Sequence, residues 1–462
     1  MPHWEAYLSG NQERYLDELK EFLSIPSISS LSAHTRDVEK AAKWLERRLT
    51  AAGLEEVQVL PTGGHPVVYG QWLRAPEKTT VLIYGHFDVQ PVDPLDLWIN
   101  PPFEPEVRED RIYARGASDD KGNLMAPILA VEALLKSSGS LPVNIKFLLE
   151  GQEEIGSPQL PEFVESHQSL LACDLILNAD GGQWTEAQPG QIMGLRGLCA
   201  LQVDVKGPSV DLHSGTYGGT FLNPIQGLVR LLETLHGPDG RVSVDGFYDK
   251  VREFSVEERD RMARVPYNEA DYQDELGLNA LYGEQGFTTN ERRWIRPTLE
   301  FNGIWGGFQQ EGIKTVIPSE VHCKISCRLV PDQSPDEIRE MVHRHLLARH
   351  LPGLKINVDY ISFKADPYMV PADHPGNQAA RKILRKLYGC EPLAIYTGGT
   401  VPVCAIFKSV LGADTIDFGF ALDDENIHSP NEFFRLASFQ RGQKAYGLIL
   451  EDLASLPPGM GP

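Results

Sequence analysis

The run TTVLIYGHFDV, residues 79–89, decides the fold class of this chain. Its β-branched and aromatic residues form a short continuous apolar run, which is typical of a buried strand. Gly85 interrupts that run, and His86 and Asp88 lie at its end. Ligands of such sheets bind beyond the carboxyl ends of the strands. The run therefore predicts a strand that delivers a histidine and an aspartate to one edge of a sheet.

Similar apolar runs recur along the chain, separated by helical patterns. The runs at 143–151 and 174–182 predict two further strands, and residues 122–136 predict a helix between the first two strands. A helix over about 38–52 precedes them and closes at Gly53, a residue suited to a left-handed cap. Alternating helices and apolar strands predict a layered α/β domain, with a largely parallel sheet flanked by helices.

The pattern of polar and apolar residues changes twice along the chain, near residue 198 and after residue 372. The stretch between the two changes begins with a strand of alternating polar and apolar residues, and it contains a charged, irregular segment at 237–300. We interpret residues 198–372 as an inserted α+β domain. Residues 1–197 and 373–462 would then form the two parts of the α/β domain.

Composition and charge exclude several classes of protein. Apolar residues make up 42% of the 462 residues, which is enough to bury a core, so a disordered chain and a fibrous repeat are ruled out. A net charge of −21 disfavours binding to nucleic acid or to an anionic membrane, because both would repel it. Neither a cysteine pair with the spacing of a zinc motif, nor a signal peptide, nor a membrane-spanning run is found. We therefore expect a reduced, cytoplasmic protein.

Side chains that can bind metal ions follow the predicted strands or lie in glycine-rich loops. They are His86, Asp88, Asp119, Asp120, Glu153, Glu154, Asp180 and His428. Imidazole and carboxylate ligands without cysteine suit a catalytic site for zinc, manganese or cobalt. Two metal ions need a carboxylate that bridges both, and this inventory fits the dinuclear case. Each residue alone has an ordinary explanation, such as a helix cap or a solvated face, but their joint placement indicates a site.

Several stretches carry a resemblance to a known family. GHFDVQP, ARGASDDKG, LLEGQEEIGS, LNADGG and ENIHSPNE resemble the co-catalytic metallopeptidases that include aminoacylases, glutamate carboxypeptidase and carnosinase-like dipeptidases. The resemblance spans nearly the whole chain. GLRGLCALQVDV, DLHSGTYGG, KTVIPSEV and CRLVPDQ are most similar to the branch of cytosolic nonspecific dipeptidase and carnosinase.

The resemblance implies a function for each residue of the metal site. His86 and Asp180 would bind one metal ion, Glu154 and His428 the other, and Asp119, joined to Asp120 by a cis peptide bond, would bridge the two. Zn²⁺ is the expected ion, with Mn²⁺ and Co²⁺ as alternatives. Asp88 would hydrogen-bond the free ring nitrogen of His86. Glu153 would take a proton from the metal-bridging water and pass it to the departing amine.

Residues elsewhere in the chain complete the implied site for dipeptides or short peptides with a free C-terminal carboxylate. The domain formed by 1–197 and 373–462 would be catalytic, and the inserted domain 198–372 would serve as a lid and a dimerisation domain. His213 of the inserted domain would stabilise the oxyanion of amide hydrolysis in the active site of the partner subunit of a homodimer. Arg328 would bind the terminal carboxylate of the substrate, a task suited to a guanidinium. Thr315, Gly399 and Thr400 are expected to contact the substrate. The ordinary alternatives are a turn histidine for His213, a surface salt bridge for Arg328 and a plain tight turn for Gly399 and Thr400.

One position departs from the family pattern. Related sequences often carry an arginine two residues before the paired glycines, where this chain has Tyr396, so we expect a reshaped carboxylate pocket.

Two other classes of function stay open. An N-acyl amino-acid deacylase or a glutamate-releasing carboxypeptidase would share the metal chemistry, and a non-catalytic binding protein would share only the fold.

Overall fold

A computed structural model describes residues 3–457 and residue 459. The chain forms two compact units. The first unit ends at Met193 and resumes over Val370–Ala394 and again from Ile406, and the second comprises Gly194–Met369 and Ile395–Ala405. The boundaries predicted from the sequence placed the short stretch 395–405 in the catalytic domain. It groups with the second unit because backbone and side-chain hydrogen bonds join it to Arg196.

The first unit is built on a six-stranded sheet. Across the sheet its strands are Glu55–Leu60, Val67–Trp72, Asn144–Glu150, Thr80–His86, Leu175–Asn178 and Asp414–Asp417. The last four are parallel to one another, and the first two pair antiparallel at one edge. The three apolar runs predicted as strands are adjacent members of this sheet, and they are buried along nearly their full length. The predicted α/β fold with a largely parallel sheet is confirmed.

Helices and a small sheet complete the first unit. Its helices are His3–Gly10, Gln12–Leu23, Thr35–Ala52, Gly122–Ser138, Leu160–Ser166, Gln168–Leu171, Pro375–Tyr388 and Leu436–Leu453. The small antiparallel sheet consists of Glu106–Arg108, Arg111–Tyr113 and Phe433–Arg435. The predicted left-handed cap is present, because Gly53 follows Ala52 with a φ of 104°.

The second unit is an α+β structure built on a four-stranded antiparallel sheet. Across the sheet its strands are Thr298–Gly306, Glu320–Leu329, Gly197–Lys206 and Lys355–Tyr360. The two central strands bury alternate residues, as the alternation in their sequences predicts. These buried side chains form one hydrophobic core with residues of the helices Pro224–Glu233 and Pro335–Leu347.

Residues 237–300 contain three short helices, where the sequence pattern indicated only an irregular charged stretch. They are Val256–Ala263, Glu269–Leu276 and Thr289–Trp294. The first and third begin with a capping box, in which Ser255 pairs with Glu258 and Thr288 pairs with Glu291. Such reciprocal hydrogen bonds stabilise helices that are too short to show an apolar period.

The remaining strands and α-helices are short. They are the strands Gly190–Leu195, Leu212–His213, Val316–Ile317, Tyr368–Met369 and Leu393–Thr397, and the helices Ser214–Tyr217 and Pro402–Leu411. Within residues 3–457, none of the helices combines the length and the apolar character needed to cross a membrane.

Candidate metal centre

Several of the predicted site residues lie at the carboxyl edge of the parallel strands. His86 ends its strand, opposite Glu150 at the end of the neighbouring strand. Glu153 and Glu154 follow Glu150 in a single turn of helix, and Asp180 lies two residues beyond the next strand. Because parallel strands end at the same edge of a sheet, these side chains lie close together.

Two further candidate ligands come from loops. Asp119 lies in the segment Ala117–Lys121, where its backbone departs from the helical conformation. Its peptide bond to Asp120 is cis, which confirms the prediction for this bond. His428 lies in the loop after the last parallel strand, with a φ of 61°.

The candidate ligands form two groups of three that share Asp119. Within each group the ligand atoms lie within 4.8 Å of one another, and the groups are His86, Asp119 and Asp180, and Asp119, Glu154 and His428. His86 Nε2 lies 3.0 Å from Asp119 Oδ1 and 3.9 Å from Asp180 Oδ2. His428 Nε2 lies 2.9 Å from Asp119 Oδ2 and 3.2 Å from Glu154 Oε2. The two oxygens of Asp119 face different groups, as a carboxylate that bridges two metal ions must.

Burial and mutual repulsion shift the pKa values in this cluster. Burial raises the pKa of Asp180 to about 6, and it raises the pKa of Glu153 well above its usual value. Burial acts in the same direction on Asp119, but hydrogen bonds from His428 and His86 hold its pKa below the usual value. Hydrogen bonds to two carboxylates in turn raise the pKa of His428 to about 10. The cluster therefore favours added positive charge.

The donor set fits a pair of divalent cations. It consists of imidazole nitrogens and carboxylate oxygens without a thiolate, which are ligands that Zn²⁺, Mn²⁺ and Co²⁺ accept. Bound cations would also offset the repulsion between carboxylates that raises their pKa values. The residues present can therefore hold divalent metal.

Asp88 contacts the backbone of Glu153 and Glu154 in addition to the ring of His86. The residue is fully buried, and its carboxylate accepts the backbone N–H of Glu153 and that of Glu154, each over 3.1 Å. His86 Nδ1 lies 3.1 Å from the backbone oxygen of Asp88 and 3.4 Å from its Oδ1. Asp88 thus positions the turn that carries two acidic residues as well as one histidine.

Glu432 is a buried carboxylate to which the sequence analysis assigned no function. One of its oxygens accepts the N–H of Ser118 over 2.9 Å and that of Asp119 over 3.1 Å. The other accepts the N–H of Gly116 and a proton of Arg115 Nη1, both over 2.8 Å. Glu432 closes the motif ENIHSPNE, so the signal was present, but a motif does not show contact with a loop 313 residues away.

Two amide side chains orient further acidic residues. Gln90 Nε2 donates to Glu154 Oε2 over 2.7 Å. Asn178 Nδ2 donates to the backbone oxygen of Asp180 over 2.7 Å and to Asp417 Oδ1 over 2.6 Å. Both amides lie in motifs that carried the family resemblance, but the sequence alone does not distinguish them from their neighbours.

The other predicted site residues lie in the second unit. His213 is exposed, and its Nδ1 accepts the N–H of Gly215 over 3.0 Å. Thr315 is exposed as well. Arg328 Nη1 donates to Thr400 Oγ1 over 2.9 Å.

The position that departs from the family pattern carries a buried, uncharged side chain next to the glycine turn. Tyr396 is buried and contacts Phe254 edge to face, with ring centres 5.7 Å apart. Burial raises the pKa of Tyr396 to about 12, so the side chain is neutral. The N–H of Gly399 donates to Thr397 Oγ1 over 3.1 Å, and its oxygen accepts the N–H of Arg196 over 3.0 Å.

Comparison with known proteins identifies relatives over nearly the whole chain. The family model described as peptidase family M20/M25/M40 matches residues 82–452. The Cys-Gly metallodipeptidase dug1 of Schizosaccharomyces pombe is 31% identical, covering 97% of this chain and 97% of its own. The Beta-Ala-His dipeptidase of Homo sapiens is also 31% identical, covering 97% of this chain and 92% of its own. Among solved structures, the M20 family metallo-carboxypeptidase Sso-CP2 from Sulfolobus solfataricus is similar with a TM-score of 0.82 and 32% identity, covering 96% of this chain and 99% of its own.

The shared position of Asp119 predicts different metal losses for different variants. We expect Asp119→Ala to lose both ions, because both groups use this carboxylate, whereas His428→Ala should retain the ion at His86 and Asp180. Elemental analysis of the dialysed proteins measures this directly. The exposed His350 provides a control, since His350→Ala should keep the wild-type metal content. Full metal content in Asp119→Ala would contradict the shared ligand.

Proposed function

The chain belongs to the peptidase family M20/M25/M40, and from that premise we propose that it is a metal-dependent dipeptidase acting on peptides with a free C-terminal carboxylate. The observation that carries this proposal is Asp119, whose two oxygens face separate groups of candidate metal ligands. Relatives named as dipeptidases match more than nine-tenths of the chain, which supports the choice of substrate class.

The proposed metal site uses five residues. His86 and Asp180 would hold one ion, Glu154 and His428 the other, and Asp119 both. When bound, two divalent ions lower the pKa of a water molecule and polarise the substrate carbonyl. We propose Zn²⁺, with Mn²⁺ and Co²⁺ as alternatives, because imidazole and carboxylate ligands accept all three.

Glu153 would transfer the proton between water and the leaving group. Burial raises the pKa of its carboxyl well above the usual value, which makes the carboxylate a stronger base. A general base of this kind accepts a proton from the attacking water and donates it to the departing amine. Asp88 supports the proposal, because it binds the backbone N–H of Glu153 and so limits its movement.

His213 is proposed as the donor to the oxyanion. Its Nδ1 accepts the N–H of Gly215, so the neutral ring carries its proton on Nε2 and can donate from there. We propose that this donor acts in the active site of the partner subunit of a homodimer. The edge strand Thr298–Gly306 supports a second copy as partner, because it exposes Ile304 and Trp305.

Arg328 is proposed to bind the terminal carboxylate. Its hydrogen bond to Thr400 uses one of five guanidinium donors and fixes the side chain, so the other donors can serve a carboxylate. Thr315, Gly399 and Thr400 are proposed to contact the substrate.

The cysteines support the further proposal of a reducing compartment such as the cytoplasm, since all six are free thiols.

A carboxypeptidase is the second candidate function. The relative from Sulfolobus solfataricus, which is similar over nearly its whole length, is named a metallo-carboxypeptidase. Both activities cleave next to a residue with a free carboxylate, and they differ in whether the substrate needs a free amino group.

A substrate panel tests the proposed function. With added Zn²⁺, Mn²⁺ or Co²⁺, we expect hydrolysis of free dipeptides such as Cys-Gly and β-Ala-His, measured as kcat/KM. The same dipeptides with an amidated carboxyl end should react more slowly, because the charge that Arg328 would bind is removed. Faster cleavage of N-acetyl amino acids would favour a deacylase, and faster cleavage of N-blocked longer peptides would favour a carboxypeptidase.

Replacement of the proposed base separates proton transfer from metal binding. Glu153→Gln should lower kcat by about 10²–10⁴-fold, because the amide cannot accept the proton, while metal content stays at the wild-type level. The control is Glu165→Gln, which changes an exposed glutamate of the following helix in the same way. Activity of Glu153→Gln at the wild-type rate would show that another group is the base.

Mixing two inactive variants tests the contribution of the partner subunit. Each site of the proposed dimer combines Glu153 of one subunit with His213 of the other, so neither Glu153→Gln nor His213→Ala alone forms an intact site. Subunit exchange should restore about a quarter of wild-type activity, since half of the dimers are mixed and each has one intact site. No recovery in a mixture whose subunits demonstrably exchange would place His213 in its own subunit's site.

A further inference from the structure

A cavity in the second unit is lined by an excess of positive charge. It has a volume of about 740 Å³. Its charged lining residues are Arg196, Arg292, Arg293, Arg296, Arg328, Glu284 and Glu300. Since the chain as a whole has a net charge of −21, the charge of this cavity is opposite in sign to that of the protein. A cavity lined in this way attracts anions.

One of the two glutamates is already neutralised. Glu284 is buried and accepts two hydrogen bonds of 2.7 Å from Arg296, one on each carboxylate oxygen. Arg241 is a second cationic partner, with its Nη1 3.3 Å from Glu284 Oε1. Glu300, in contrast, is exposed, so solvent screens its charge. Glu284 therefore does not balance the other arginines of the cavity, and Glu300 offsets their charge only in part.

Arg196, Arg293 and Arg328 form no ion pair with any residue that the structure describes. Arg196 Nη1 is buried, and within the described chain it has no hydrogen-bond partner. Burial and then the charge of Arg328 lower the pKa of Arg196 to about 10; Arg293 acts in the same direction, and Glu300 offsets part of the effect. A buried donor without a partner and beside like charges is unfavourable, and an anion would satisfy it.

We propose that this cavity binds two carboxylates of one ligand, the first at Arg328 and the second at Arg196 and Arg293. The inference rests on the proposed function, which assigns the terminal carboxylate of a peptide to Arg328. It adds the substrate class, namely peptides whose C-terminal residue is Asp or Glu. A single terminal carboxylate would neutralise only one of the three arginines, whereas an acidic side chain supplies the second negative charge.

Direct binding of small acids tests the cavity without hydrolysis. On the metal-loaded Glu153→Gln protein, calorimetry should give a Kd for glutarate at least about tenfold lower than that for butyrate, which has one carboxylate. Arg196 packs against the Gly398–Gly399 turn, so Arg293→Gln is the safer variant, and it should remove most of that difference. Arg344→Gln removes the same charge from an exposed helix of this unit and should not change it. Equal affinity of the wild-type cavity for the two acids would overturn the proposal.

Hydrolysis of matched dipeptides tests the substrate class. The ratio of kcat/KM for Ala-Glu to that for Ala-Gln should be at least about ten, because the two differ only in the second charge, and Arg293→Gln should bring it close to one. Faster cleavage of Ala-Leu than of Ala-Glu would overturn the acidic preference. If glutarate binds in an Arg293-dependent manner but no dipeptide is cleaved, the cavity stands and the dipeptidase proposal fails. If dipeptides are cleaved without acidic preference, the dipeptidase proposal stands and the proposal of a second carboxylate site fails.

Discussion

The candidate metal centre depends on one carboxylate that is shared by two groups of ligands. The oxygens of Asp119 contact His86 and His428 separately, so the position of this residue sets the distance between the two groups. Glu432 fixes the backbone from which this side chain extends, because it accepts the N–H groups of Ser118 and Asp119. A buried carboxylate thus holds in place the segment that carries the proposed bridging ligand.

Sequence reasoning predicted the position of the candidate ligands that follow strands, since a buried parallel strand is a continuous apolar run and its carboxyl end is the expected site edge. His86 and Asp180 are of this kind. His428 lies in an irregular loop, so it could be proposed only together with its motif. The contacts of Asp88 and Glu432 with backbone N–H groups could not be predicted, because they join loops that are remote in the sequence. The short helices within 237–300 were missed because their stability comes from local caps.

Two buried carboxyl groups beside the ligands limit the negative charge of the centre. Glu150 accepts hydrogen bonds from Tyr84 and Ser157, and burial raises its pKa to about 7. Burial also raises the pKa of Asp417 to about 7. Groups with such pKa values are partly protonated at neutral pH, so they add less negative charge than ionised carboxylates would. Asp119 is held ionised by its two histidines, and the charge is therefore concentrated on the residue that both groups share.

Each unit contains a cluster of like charges, which is negative in the first unit and positive in the second. In the first unit carboxylates crowd around Asp119, and in the second the guanidinium groups of Arg196 and Arg328 lie close enough to lower one pKa. Burying like charges costs stability unless opposite charge compensates them, and residues of the same unit do so only in part. Each cluster would therefore be stabilised by a ligand of opposite sign, cations in the first unit and an anion in the second. A sequence selected only for stability would pair these charges internally, as Arg296 pairs with Glu284, so the unpaired clusters are where ligand binding is expected.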